Sequence, residues 1–375
     1  MITVEEVTTR RQQKEFLDFP LRLYKDNPCF VPPLYSDEKK MFGRNFVYSD
    51  CCDSVFFLAT DGGKTVGRIQ GIIQRAANEK NGERRVRFNR FDAIDDLEVS
   101  RALFAAVEEW ARNHGMDTVC GPLGYSDLER EGLLIEGFDQ LSTFEEQYNA
   151  PYYQKHIEAL GYAKEVDWLE WKLYGPESEE TLKEQEQLAD FIMKRYNLHF
   201  GPSRNGRDFL RRYSDGVFKL IDESYDKLYG TVPFTDGMKK LMLDNFSLVI
   251  STRYTAVILD ENDKVVCFGL AFPALAEALA GTSGRYTPRN LFRMLKAIRR
   301  PKVIDLCLIG VDPEYLNRGL STVFAVQLMH MLGDSRISHA ETNLNLEDNW
   351  AILNQWKRFK HENHKRRRAF VKKLV

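Results

Sequence analysis

The stretch Ile304–Leu332, IDLCLIGVDPEYLNRGLSTVFAVQLMHML, holds the residue types and spacing best suited to chemistry. Ile304–Val311 is a continuous apolar run, which reads as a central strand of its sheet. Asp312-Pro313 ends it. Asn317-Arg318-Gly319-Leu320-Ser321-Thr322 then opens a helix in which Leu320, Val323, Phe324, Leu328, Met331 and Leu332 recur at helical spacing. A helix start presents about four unpaired backbone N–H groups and a partial positive charge. Gly319 lets a ligand approach the backbone, Ser321 and Thr322 are small, and Arg318 adds a cation. This is how backbone holds a phosphate or pyrophosphate. The alternative is an ordinary strand–turn–helix with an Asn or Ser cap.

The elements that must position this turn fall into two similar halves. The chain has 375 residues, which at roughly 150 residues per domain gives two domains. The polar, acidic Gly175-Pro176-Glu177-Ser178-Glu179-Glu180 marks the boundary, so the domains expected are 1–175 and 176–375. Each half carries a helical segment (Val7–Lys25; Asp208–Leu228) and a strand pair (Val55–Thr60 with Lys64–Gln74; Thr255–Leu259 with Lys264–Phe272). Each then runs a strand into a long amphipathic helix. Each closes alike: Asn149, a helix and the strand Trp168–Leu173 in one, Asn349, the helix Trp350–Phe359 and the strand Arg367–Leu374 in the other.

Composition excludes several classes. Hydrophobic residues are 43%, charged residues 29% and the net charge is −2, so there is neither a global basic field for nucleic acid nor the acidity of a disordered chain. No apolar run approaches the about 20 residues of a membrane span. The start MITVEEVTTRRQQKEF lacks the apolar region of a signal peptide. Six cysteines without a CxxC pair suit reduced thiols rather than disulfides or zinc. A cytoplasmic protein is expected. The basic run from Lys357 to Lys373 reads as a solvated helix end and an edge strand.

Val311-Asp312-Pro313-Glu314-Tyr315-Leu316-Asn317-Arg318-Gly319-Leu320-Ser321 resembles Val-x-Pro-x-x-[Gln/Arg]-x-x-Gly-x-[Gly/Ala], the acetyl-CoA signature of the GCN5-related N-acetyltransferases (GNAT superfamily). Leu316 and Ser321 depart from it. The chain is similar to a bacterial tandem group of that superfamily through Phe30-Val31-Pro32-Pro33, Gly121-Pro122, Gly132-Leu133-Leu134-x-Glu136-Gly137-Phe138-Asp139, Tyr148-Asn149-x-Pro151-Tyr152-Tyr153 and Leu346-Glu347-Asp348-Asn349. The resemblance implies an α/β chain of two tandem GNAT folds, each a mixed sheet with a splayed central strand pair. It implies acetyl-CoA or another acyl-CoA as cofactor. The pantetheine would run along Leu308, Ile309 and Val311, the pyrophosphate would meet the amides of Arg318–Thr322, and Asn349 would approach the pantetheine arm. Trp356 stands where many members carry a tyrosine acid, so the usual acid is missing.

Charge decides which half takes the cofactor. In the first half Asp95 and Asp96 sit where a pyrophosphate would be, and would cap the helix themselves. At about 5 Å and an effective dielectric near 20, each such repulsion costs roughly 3 kcal/mol. The second half offers Arg318 and Gly319, so acyl-CoA is assigned there. Direct attack of an amine on a thioester needs a base. Glu341 and Asp305 are the candidates, and the acidic, glycine-containing insert Gly121–Gln147 could cover a cleft and receive a cationic amine or remain a solvated loop.

The reading is an acyl-CoA-dependent N-acyltransferase acting on a small-molecule or peptide amine, without nucleic acid or membrane, and with a homodimer as the oligomer to test. Its rivals are a non-catalytic acyl-CoA-binding or regulatory protein and an aminoacyl-tRNA-dependent transferase.

Overall fold

The computed structural model of the chain describes residues 1–226 and 228–374. One order of elements occurs twice. The first half runs β1 (Ile2–Glu6), α1 (Arg10–Leu23), α2 (Tyr35–Lys40), β2 (Cys52–Asp61), β3 (Lys64–Gln74), α3 (Arg75–Asn81), β4 (Arg85–Ala93), α4 (Leu97–Asn113), β5 (Thr118–Gly121), β6 (Leu133–Glu136), α5 (Tyr152–Ala159) and β7 (Ala163–Pro176). The second begins with α6 (Glu179–Arg195) and repeats the plan with β8 (His199–Phe200), α7 (Gly206–Tyr225), α8 (Asp236–Val249), β9 (Ala256–Leu259) and β10 (Val265–Pro273). It inserts α9 (Ala276–Leu279) and α10 (Pro288–Arg299). It continues through β11 (Val303–Val311), α11 (Leu320–Leu332), β12 (His339–Thr342), β13 (Asn345–Leu346), α12 (Trp350–Trp356) and β14 (Phe359–Lys373). The expected strand pairs and closing helix–strand units are all present. The opening strands β1 and β8 went unread, because each is short and lies at a sheet edge, where little burial imprints an apolar pattern.

All the strands join one mixed sheet in the order β1-β2-β3-β4-β5-β14-β7-β12-β11-β10-β9-β8, with β6 and β13 paired to its middle. Most neighbours are antiparallel; β4 with β5 and β11 with β12 are parallel. The closing strands are exchanged. β14 lies between β5 and β7, and β7 between β14 and β12, so each half's sheet is completed by the other half's last strand. The β7–β14 ladder runs from Phe359↔Pro176 to Val371↔Ala163.

The helices cover the sheet through their apolar stripes. Val99, Leu103, Phe104 and Val107 of α4 pack on Ile69, Phe88 and Phe91. Ala325, Leu328, Met329 and Leu332 of α11 pack on Ile304, Ala340 and Phe359, while Val323 and Val326 meet Ile192 of α6.

The basic run of β14 is not a solvated edge. Lys365 and Arg367 have fully buried side chains and pair with buried Glu170 of β7 at 3.0 and 2.7 Å. Arg368 and Arg366 bond Asp167 at 2.7 and 3.1 Å. Acids facing from the neighbouring strand neutralise the cations. Breaking such a pair costs about 3–5 kcal/mol, since one charge is left buried and alone.

The exchanged strands make the halves one cooperative unit. The full chain is expected to melt in a single calorimetric transition, and residues 1–175, which lack β14, to show no cooperative melt by circular dichroism. Two resolved transitions would contradict this.

Candidate active site

The site begins where β11 and β12 part. Their parallel pairing holds from Val303↔His339 to Leu306↔Thr342. It ends with the Asn343 N–H bonding the Leu306 carbonyl at 3.0 Å. Cys307 then bulges out of register with β10. A bulge re-aims the strand, and beyond it Ile309 and Val311 turn their backbone groups toward the open edge, with Leu308 one residue out of phase. Two side chains of α7 hold that edge. The Tyr225 hydroxyl donates to the Ile309 carbonyl at 2.8 Å and accepts from the Ile309 N–H at 3.3 Å. The Ser224 hydroxyl donates to the Val311 carbonyl at 3.1 Å.

At the end of β11 the chain turns through Asn317 (φ +64°) and Gly319 (φ +83°) into α11. Asp312, paired with Lys264 at 2.8 Å, bonds the Glu314 N–H and shapes the turn. Gly319 is favoured here by its backbone, with a side-chain contact beside it. Its backbone is left-handed, and a Cβ there would come within 2.7 Å of Ile192. No side chain caps α11. In its first turn Thr322 N–H bonds back to the Gly319 carbonyl at 2.8 Å. The Arg318 N–H, expected to face the pyrophosphate, bonds the Tyr315 carbonyl at 3.2 Å instead, and the amides of Leu320 and Ser321 are the ones left for an outside acceptor. Arg318 is exposed, its guanidinium 4.8 Å from the Tyr315 ring centre and 5.2 Å from that of Tyr196.

Asn317, Gly319, Leu320 and Ser321 border a cavity of about 1660 Å³ formed by both halves. That exceeds the roughly 300–1,000 Å³ of common small-molecule sites. Its walls are largely apolar, with Phe144, Phe246, Leu270, Phe272, Leu308 and Trp356 among them. Asn349 also reaches it, although its side chain caps α12, accepting from Ile352 N–H at 3.4 Å. Trp356 donates its indole N–H to Asn345 at 2.8 Å.

The insert 121–147 brings carboxyls to this apolar space: Asp127, Glu129, Glu131, Glu145 and Glu146 all line it. It is a packed wall, with Glu131 and Glu146 both buried. Burial pushes Glu131 well above the usual carboxylate range, with the Asp127 charge adding to it. Burial carries Glu146 to about 8 against the pull of Arg367. One oxygen of each, and one of Asp305, meets no hydrogen-bond donor among the described residues.

Asp305 and Glu341 are brought together as register partners on β11 and β12, yet both stand behind the cavity wall. Burial and the charges of Glu145 and Glu341 drive Asp305 well upward. Burial also acts on Glu341, but Lys365 at 3.2 Å, His339 at 3.3 Å and His364 at 3.6 Å outweigh it and hold Glu341 at about 2. Glu145 is the member of this group that opens into the cavity.

The first half has the same plan and a sealed cleft. Asp96 caps α4, accepting from Glu98 N–H at 2.9 Å, as its place in the sequence suggested. Tyr153 and Tyr152 hydroxyls bond the Ala93 N–H and carbonyl at 2.8 and 2.7 Å. Tyr24, at the end of α1, bonds Asp92 at 2.9 Å, and Arg68 pairs with Asp92 at 2.7 Å. Sequence reasoning found the turn and the acidic insert but missed Tyr225 and Lys365. Tyr225 lies 84 residues from Ile309 and sits in no motif, so no local signal marks it. Lys365 was hidden inside a run of cations.

No protein-family model matches the chain. Protein YghO of Escherichia coli (strain K12) is 28% identical over 380 residues, covering 99% of this chain and 95% of its own. The bacterial ceramide synthase of Caulobacter vibrioides is 27% identical over 323 residues, covering 84% of this chain and 81% of its own. Among solved structures, a tandem GNAT protein from the clavulanic acid biosynthesis pathway superposes with a TM-score of 0.58 at 13% identity, over 100% of this chain and 98% of that one. A GCN5-related N-acetyltransferase from Sphaerobacter thermophilus gives 0.50 at 11% identity, over 99% and 95%. The chain therefore has the fold of a tandem GNAT protein, as the sequence resemblance implied.

The raised Glu146 carboxyl predicts a pH dependence of stability. Its folded value of about 8 exceeds the unfolded one near 4.5, so the native state holds the extra proton between them. Stability from this group is complete below pH 4.5 and is lost as pH rises through 8. Glu146→Gln is expected to raise the melting temperature by several degrees at pH 9 and to change it little at pH 5. Equal effects at both pH values would refute the assignment.

Proposed function

We propose that this chain is an acyl-CoA-dependent N-acyltransferase whose acceptor is a long-chain amine. The observation that carries the reading is the junction of three features: an uncapped helix start, a splayed strand edge, and a large apolar cavity with buried carboxyls. The amides of Leu320 and Ser321, with Arg318 beside them, suit a diphosphate. Ile309 and Val311 suit a pantetheine arm. The cavity suits hydrocarbon. The name of the Caulobacter relative fits, since a ceramide is an N-acylated long-chain amine.

In the proposed reaction the amine nitrogen attacks the thioester carbon. A C–N bond forms, the C–S bond breaks and the CoA thiol leaves. The ionised form of Glu146, which grows as pH approaches its value of about 8, takes the ammonium proton before attack, and the proton the nitrogen loses on attack passes to the departing sulfur. Asp305 and Glu341 act through Glu145, setting its charge from behind the wall. The first half supplies the insert and no cofactor site. Tyr225 presents the edge of β11 with a hydroxyl in place of a ligand, an observation that also suits the non-catalytic binding reading.

Ser321→Asp tests the cofactor site without the backbone strain any Gly319 substitution would add. Calorimetric titration is expected to show acyl-CoA binding by the wild type and at least a tenfold loss in the variant. Affinity is expected to grow with acyl length, by up to ~0.8 kcal/mol per buried methylene. Absence of wild-type binding would end the reading. Thiol release over a panel of amines, short and long, separates enzyme from binder, and Glu146→Gln is expected to lower the rate.

Tyr225→Phe removes the hydroxyl that competes for Ile309. One neutral hydrogen bond is worth about 0.5–1.5 kcal/mol, so acyl-CoA binding is expected to tighten by roughly two- to tenfold in the same titration. Weaker binding would mean the hydroxyl serves the ligand rather than standing in for it.

A further inference from the structure

Helix α10 is apolar over more of its circumference than the body covers. Asn290 and Met294 are buried, and Ala297 and Ile298 half-buried, against Leu275, Leu279 and Val249. Met294 and Ile298 also line the cavity. On the adjoining outward side Leu291, Phe292 and Leu295 are 46%, 69% and 43% exposed. Tyr286, just before the helix, is 52% exposed, and Leu248, at the end of α8, 72%. Those two line the same cavity. Single exposed hydrophobics are ordinary, but a group around one cavity mouth is not.

Charge says what covers this face. Between Gly281 and Ile304 the sequence has seven Lys and Arg and no acid, in a chain whose net charge is −2. Arg289, Lys296, Arg299 and Arg300 are exposed, and none has an ion pair with a described residue. Arg285 and Lys302, by contrast, pair with Asp18 and Glu277. A helix with an apolar outer side and unpaired cations beside it suits the interface of a bilayer carrying anionic lipid.

We propose that α10 docks the protein on an anionic membrane surface. Leu291, Phe292 and Leu295 enter the acyl boundary, with Tyr286 and Leu248 beside them. The free cations meet lipid phosphates. The inner side of the same helix borders the cavity, so a lipid substrate passes between bilayer and site along α10. Docking stands on the helix itself; delivery of substrate rests on the long-chain reading above. Among the described residues no helix is long and apolar enough to cross a membrane, so the proposal is of a surface contact and goes beyond the expectation of no membrane partner.

The test is flotation of the full chain with phosphatidylcholine vesicles, with and without phosphatidylglycerol. The wild type is expected to float with the anionic vesicles and not with the neutral ones. Phe292→Glu should lower the bound fraction at least tenfold with an unchanged melting temperature. Arg299→Ala and Arg300→Ala should each lower it about fivefold. Phe191→Glu, at an apolar side chain 54% exposed on α6, is the control and should float as wild type. Failure of the wild type to float, or flotation of Phe292→Glu like wild type, would overturn the proposal. So would a dimer by light scattering that Phe292→Glu splits, since a second copy would then cover the patch. Acyl-CoA titration without vesicles reads the cofactor site separately, so its failure would leave a positive flotation result standing.

Discussion

The pairing of β7 with β14 is the constraint on which the rest of the molecule depends. Each strand ends one half of the chain and completes the sheet of the other. At its centre Lys365 and Arg367 on one strand face Glu170 on the other, all three side chains fully buried. A buried pair of this kind adds little net stability compared with apolar packing, but any shift that separates the partners is strongly penalised. It can therefore fix register where a purely apolar ladder would tolerate slipping by two residues. With that register fixed, the insert of the first half is held against β11 of the second, and the cavity between them has one shape.

The same network reaches the site. Lys365 also bonds Glu341 at 3.2 Å, Glu341 stands opposite Asp305, and Glu145 lies within electrostatic reach of both. The cations of β14 are spent on Glu170, Glu341 and Asp167. The insert's Glu131 and Glu146 make no ion pair among the described residues, and their burial drives them toward the neutral form. The first half thus carries both kinds of acid: Asp167 and Glu170 of β7 are held ionised by paired cations, and Glu131 and Glu146 of the insert are driven toward the neutral form by burial.

The halves differ in what fills the equivalent cleft. In both, a tyrosine at the end of the helix that follows the opening strand points its hydroxyl at the central strand: Tyr24 at Asp92, Tyr225 at Ile309. In the first half Tyr152, Tyr153 and the Arg68–Asp92 pair then close the space, and Asp96 caps α4. In the second, the tyrosine is the obstacle at a strand edge that otherwise faces a cavity, and the helix start is capped by nothing. The two copies keep a common scaffold, and local side-chain polarity decides which of them can take an anion.

The sequence by itself determined what depends on near neighbours. The apolar run of β11, the breaking Asp312-Pro313, the glycine at a left-handed turn and the helical spacing of α11 are all local, and so was the capping of α4 by Asp96. The repeat of the closing units was legible because each is a short contiguous piece. Tertiary structure decided what depends on distant partners. It turned the Lys357–Lys373 run from a solvated edge into a buried central strand, because the neutralising acids lie some 200 residues earlier. It placed Tyr225 on Ile309 and Glu145 before Asp305 and Glu341. It left one side of α10 uncovered, which no pattern within the helix discloses, since an apolar side chain has the same letter whether a sheet or a bilayer meets it.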